Sequence, residues 1–107
     1  MSVKLLNIQI QPDIGNPLKL DAVEQILESL DIDAEISEGN DEGRYVNYII
    51  KSENLEETWR LIEHSLLADR AISDMAIVVC QGANGWDDYL LLHHFDPEVE
   101  IDRLGNQ

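Results

Sequence analysis

The sequence predicts an α+β domain built on an antiparallel sheet, and three observations lead there. Residues 74–95, Asp-Met-Ala-Ile-Val-Val-Cys-Gln-Gly-Ala-Asn-Gly-Trp-Asp-Asp-Tyr-Leu-Leu-Leu-His-His-Phe, are two apolar runs parted by Asn84-Gly85. Asn-Gly favours a type I′ hairpin turn, whose two central residues both need positive φ. Period-2 runs alternate with two stripes at helical spacing, in the order β-α-β-β-α-β-β. Finally, 107 residues with 44% hydrophobic content are enough for one core and one domain.

Taken in order, Val3–Ile10 reads as a first strand, with Leu6, Ile8 and Ile10 alternating with Asn7 and Gln9. Pro12, Gly15 and Pro17 punctuate the connection that follows. A first helix begins with Asp21 as its cap and Glu24 three residues on. Its stripe is Leu20, Val23, Ile26, Leu27 and Leu30. Ile32, Ala34 and Ile36 alternate with Asp33, Glu35 and Ser37, a strand with one wet face and so an expected edge. After the polar turn 38–43, Arg44–Lys51 is a third strand with apolar residues on both sides. A second helix starts at Asn54, capped with Glu57 three residues on, and its buried line is Leu55, Trp59, Ile62 and Leu66. Pro97 stops the last strand. The expected organisation is one domain over 1–96 and an acidic C-terminal tail over 97–107.

An Asn84-Gly85 turn pairs Val78 with Leu91 and Cys80 with Tyr89 on one side, and Ile77 with Leu92 and Val79 with Leu90 on the other. A longer turn over 82–85 shifts the pairings but leaves both sides of the ribbon apolar. An antiparallel sheet with one face in water should alternate instead. Two helices shelter one face, so the second needs extra chain or another molecule.

The first six elements have the split βαβ, ferredoxin-like arrangement, two helices on one face of a sheet ordered 4-1-3-2. The last strand extends it to 5-4-1-3-2. This is a layout that hosts many unrelated functions. A homodimer through the uncovered face is expected, with Tyr89, Leu91 and His93 as self-association residues, or Leu90, Leu92 and His94 from the other side.

The formal net charge is −15. That argues against nucleic acid, which needs clustered Lys and Arg, and against an anionic membrane. No run approaches the roughly 20 apolar residues of a membrane span. The opening residues turn polar too early for a signal peptide. The single Cys80 cannot form an internal disulfide, so a reducing cytoplasm is expected. Residues 21–42 concentrate acid with no Lys or Arg. They read either as a solvated face or as a surface steering a basic partner. In the second reading Asp21, Glu24, Glu28, Glu35, Glu38 and Trp86 are the partner-binding residues.

Chemistry is sparsely supported. His93 and His94 are the catalytic candidates, but neighbours on a strand point to opposite faces and cannot share a metal without a bulge. His64 falls on the wet side of its helix. No cofactor motif, metal-ligand spacing or activated nucleophile is present. Asp87-Asp88 reads as solubilising charge at the hairpin mouth. The leading expectation is a small acidic binding protein without catalytic activity, immunity- or inhibitor-like, blocking a basic toxin or nuclease. The alternative is a small dimeric enzyme or ligand sensor with a pocket near His93 or His94, using Tyr45 or Tyr48.

Overall fold

Strand β1 (Lys4–Ile10) runs up the middle of a five-stranded sheet. A computed structural model describes residues 3–11, 19–40, 44–82 and 84–102 of the chain. The remaining described elements are α1 (Lys19–Ser29), β2 (Glu35–Asn40), β3 (Arg44–Ser52), α2 (Leu55–Ser65), α3 (Arg70–Ser73), β4 (Ala76–Gly82) and β5 (Gly85–His93). The sheet order is β2-β3-β1-β4-β5, with β1 antiparallel to both β3 and β4. This is an α+β fold with the strand order the sequence predicts.

The period-2 pattern decides which face carries the core. Leu6, Ile8 and Ile10 pair across β1 with Ile50, Tyr48 and Val46, and all six are buried. Ala76, Val78 and Cys80 of β4 continue that face. Val23 and Leu27 of α1, Ile62 of α2 and Ile72 of α3 join the same cluster, so the helices cover this side.

The helix ends explain where the chain turns. In α2, the Asn54 side chain accepts the Glu57 N–H at 3.2 Å, the N-cap the sequence suggests, while the Asn54 backbone N–H goes to Ser52 Oγ at 3.0 Å rather than to Glu57. α1 begins at Lys19, so Asp21 lies in its first turn, where its charge complements the helix dipole, rather than at the cap. At the other end Asp31 takes a left-handed conformation, φ 58°. Ile32 N donates to Leu27 O and Asp31 N to Glu28 O, a Schellman closure with aspartate where glycine is commonest. α3 is an addition to the expected layout. Asp69 caps it by accepting the Ala71 N–H at 3.0 Å.

The hairpin forms, but its register differs from the two-residue Asn84-Gly85 expectation. Val79 pairs with Leu91, Cys80 with Leu90 and Gly82 with Gly85. The turn is therefore one residue earlier, and its residue 83 lies outside the described residues. β5 needs five steps from Gly85 to Leu90 where β4 needs two from Gly82 to Cys80. The surplus loops over Gly82, where an added Cβ would collide with the Asp88 carbonyl. The Asp88 carboxylate folds back to accept the Asn84 backbone N–H at 2.7 Å. A second irregularity lies between Val78 and Val79, opposite Leu91–His93. A slip of one residue exchanges faces, so Leu90 and Leu92 face the helices while Tyr89 and Leu91 do not.

The tail does more than trail off. Asp102 N donates to Leu91 O at 2.6 Å, and the Asp102 carboxylate accepts the Leu91 N–H at 2.8 Å. Residues up to 102 thus return to β5 and satisfy both backbone groups of Leu91. Residues 103–107 lie outside the described part.

Candidate functional site

The side of the sheet away from the helices has no covering layer among the described residues. Along β4 and β5 it is apolar: Ile77, Val79, Leu91 and Tyr89. Along β1 and β3 it is amide-rich. Asn7 Nδ2 donates to Asn47 Oδ1 at 3.2 Å, and Gln11 Nε2 donates to Gln9 Oε1 at 3.2 Å. Gln81 Oε1 accepts the Leu5 N–H at 2.8 Å. The centre of this face therefore carries no charge; Glu35 and Lys51 stand at its margin. A depression of about 320 Å³ is lined by Asn7, Gln9, Ile77, Val79, Trp86 and Tyr89. Trp86 is 43% exposed and Tyr89 55%. Asn7 Oδ1 is buried and has no hydrogen-bond partner. An unsatisfied buried acceptor is costly.

Of the expected self-association residues, Tyr89 and Leu91 share this face, and His93 does not. The irregularity beside Val78 turns His93 toward α3 instead. Its Nε2 lies 2.9 Å from Ser73 O and 3.3 Å from Ser73 Oγ. A carbonyl only accepts, so the shorter contact requires a proton on Nε2. A nitrogen that donates cannot also act as base toward the Ser73 hydroxyl. His93 thus ties β5 to α3. His94 Nδ1 accepts the Asp96 N–H at 3.0 Å, and its ring lies 4.4 Å from that of Phe95. It closes the end of β5 rather than facing a cavity. His64 is exposed on α2.

The acidic residues gather at the other edge of the sheet. β2 pairs Ile36 with Tyr48 and Glu38 with Val46, so Ile36 and Glu38 lie on the helix side, and Glu35 on the open side. A recess of about 180 Å³ between α1 and β2 is bordered by Glu24, Leu27, Glu28, Asp33, Ile36 and Tyr48. A wider depression of about 640 Å³ adjoins it, lined by Asp31, Asp33, Glu35 and Lys51 among others. Burial pushes the Tyr48 phenol up to about 12, and Glu24, Asp21 and Glu38 add to the shift. Glu24 and Glu28 thus border the same recess as Tyr48, and the charges of Glu24, Asp21 and Glu38 act on its phenol. Trp86 stands at the opposite edge and does not join them. Neither His93 nor His94 borders any of the three depressions.

Cys80 is fully buried, and desolvation raises its thiol pKa. That is the condition of an inert core cysteine rather than a nucleophile. Among the described residues no group of three or more His, Cys, Asp or Glu side chains is placed to hold a metal. Nor, among the described residues, is any helix long and apolar enough to cross a membrane.

Sequence reasoning missed three participants. Asn7 looked like the wet half of an alternating strand, and only the five-strand order places it mid-face. Ser73 and Asp102 carry no local signal, since their partners are 20 and 11 residues away.

No protein-family model matches the chain, and neither a curated protein nor a solved structure shows significant similarity to it.

Proposed function

We propose that this chain is a cytoplasmic protein-binding module without catalytic activity, which pairs with a second copy through its open sheet face and receives a basic partner on its acidic side. The layout is read as the ferredoxin-like split βαβ with an added edge strand, a likeness of architecture that carries no function by itself. The observation that supports the reading is the uncharged centre of the open face in a chain of net charge −15. Two such chains repel wherever their carboxylates meet. The open face is where they can approach. Asn and Gln amides each offer donors and an acceptor, so a surface of them is complementary to itself under a two-fold axis. Tyr89, Trp86, Ile77 and Val79 supply the apolar part.

The acidic side would then stay free to steer a basic protein, an inhibitor-like role. The two kinds of binding should answer to salt in opposite ways. Screening relieves repulsion between two acidic copies and weakens attraction to a basic partner. Sedimentation equilibrium is the test. The wild type should sediment at twice the 12.2 kDa chain mass, equally or more firmly as salt is raised. Val79→Glu should yield a folded monomer. A wild type that stays monomeric at every concentration and salt level would refute the self-association.

A further inference from the structure

We infer that the recess between α1 and β2 is an anchor pocket for one arginine or lysine side chain, carried by an extended basic segment of a partner protein, with the Tyr48 hydroxyl on its wall. The inference deepens the binding-module reading and rests on it.

Acidic residues alone would be only a solvated patch. Tyr48 makes the difference. It is 2% exposed, borders the recess, and its hydroxyl has no hydrogen bond within the described residues. Desolvation and the carboxylates of Glu24, Asp21 and Glu38 keep that hydroxyl protonated, so a donor and an acceptor are both unspent. A guanidinium or ammonium entering between Glu24, Glu28 and Asp33 would give an N–H to the phenol oxygen. The phenol could then donate to a neighbouring carboxylate. Leu27 and Ile36, the latter 51% exposed, would flank the aliphatic stem. Long cationic side chains bury their stems and keep their heads in polar surroundings in this way.

The surroundings suit an extended backbone. The wider depression shares Ile32, Asp33 and Ala34 with the recess. There the Schellman turn at Asp31 has swung the chain off β3. Pairing of β2 with β3 begins only at Glu35–Ile49, so residues 50–52 have no strand beside them on that side. A segment lying in this gap could hydrogen-bond to the free strand edge, the usual mode of strand addition. The opposite sheet edge differs, because Asp102 already occupies the Leu91 backbone groups. Charge selects the occupant. Among the residues bordering the two depressions, Lys51 is the only cation, so a basic segment is favoured and an acidic one repelled.

The test uses the whole chain and a blocked eight-residue peptide of alternating arginine and valine, titrated calorimetrically and followed by backbone amide shifts. The same peptide with citrulline for arginine keeps the shape and removes the charge. Binding should shift the amides of Leu27, Ile36 and Tyr48, and should weaken at least tenfold with citrulline. Tyr48→Phe should weaken it by roughly three- to tenfold, the worth of one hydrogen bond, without lowering the melting temperature. Glu24→Gln with Glu28→Gln should weaken it further. Equal binding of the citrulline peptide, or unchanged affinity in Tyr48→Phe, would overturn the anchor pocket. Shifts confined to Ile77, Val79 and Tyr89 would overturn it while leaving the binding-module reading in place. A peptide that binds nowhere overturns the pocket alone; a wild type that is also monomeric removes the module reading with it.

Discussion

Val78 and Val79 are chain neighbours on β4, yet they live in different solvents. Val78 has no exposed surface and belongs to the core cluster that residues of the helices join. Val79 faces the other way, half-buried among Asn7, Gln9, Tyr89 and Trp86. The helix side is apolar and closed along β1 and β4, and turns acidic only at β2, where Glu38 and the recess beside Tyr48 lie. The open side mixes amides, aromatics and aliphatics and leaves one amide oxygen unsatisfied. The two faces of one strand therefore differ in what encloses them: the helices bury one, and no layer among the described residues covers the other.

The largest effect should come from the closed face. Ile8→Ala empties a site in the central strand and should destabilise by about 2–5 kcal/mol in chemical denaturation. Gln9→Ala, the next residue on the open face, should stay within about 0.5 kcal/mol of wild type. Equal losses at the two positions would break the comparison.

The next effect depends on pH. The Tyr48 phenol is raised from 10.0 to about 12 in the folded chain. Below pH 10.0 the phenol is protonated in both states, so its contribution is whole. As pH climbs toward 12 the unfolded chain ionises first and stability falls. Cys80, also raised by burial, acts in the same direction from its ordinary 9.0 upward. Stability curves against alkaline pH should be flatter in Tyr48→Phe than in wild type. Parallel curves would mean that the phenol is solvated.

A smaller effect belongs to the edge. Asp102→Ala removes the carboxylate that accepts the Leu91 N–H and should cost about 1 kcal/mol. It should also speed amide exchange at Leu91. The smallest belongs to Val79→Ala. Measured at concentrations where the chain is monomeric, it should change stability by about 1 kcal/mol or less, because the face it stands on is open. Its effect on association should be the larger one.

Much of this architecture was legible. Leu6, Ile8 and Ile10 announced β1, Asn54 and Glu57 announced the start of α2, and the alternation of 32–37 announced an edge strand, although the strand runs over Glu35–Asn40, leaving 32–34 unpaired and extending into the expected turn. The hairpin register was not, because Asn84-Gly85 signals a turn without specifying how many residues it spans. The looped residues over Gly82 and the irregularity beside Val78 then decided which leucines face the helices. The same irregularity carried His93 from the expected association face to Ser73. The acidic side was readable as composition, while its focus on Tyr48 was not. A tyrosine among Val46, Ile49 and Ile50 looks like core, and only the sheet order sets its hydroxyl beside α1.

The central claim, that the open face is where two copies meet, is tested most directly by isotope-filtered NOEs between a labelled and an unlabelled chain. Intermolecular contacts should run from the methyls of Ile77 and Val79 to the rings of Tyr89 and Trp86 of the other copy, with the Asn7 amide shifted. Contacts running through β2 or the helices, or none at concentrations where the mass is dimeric, would contradict it.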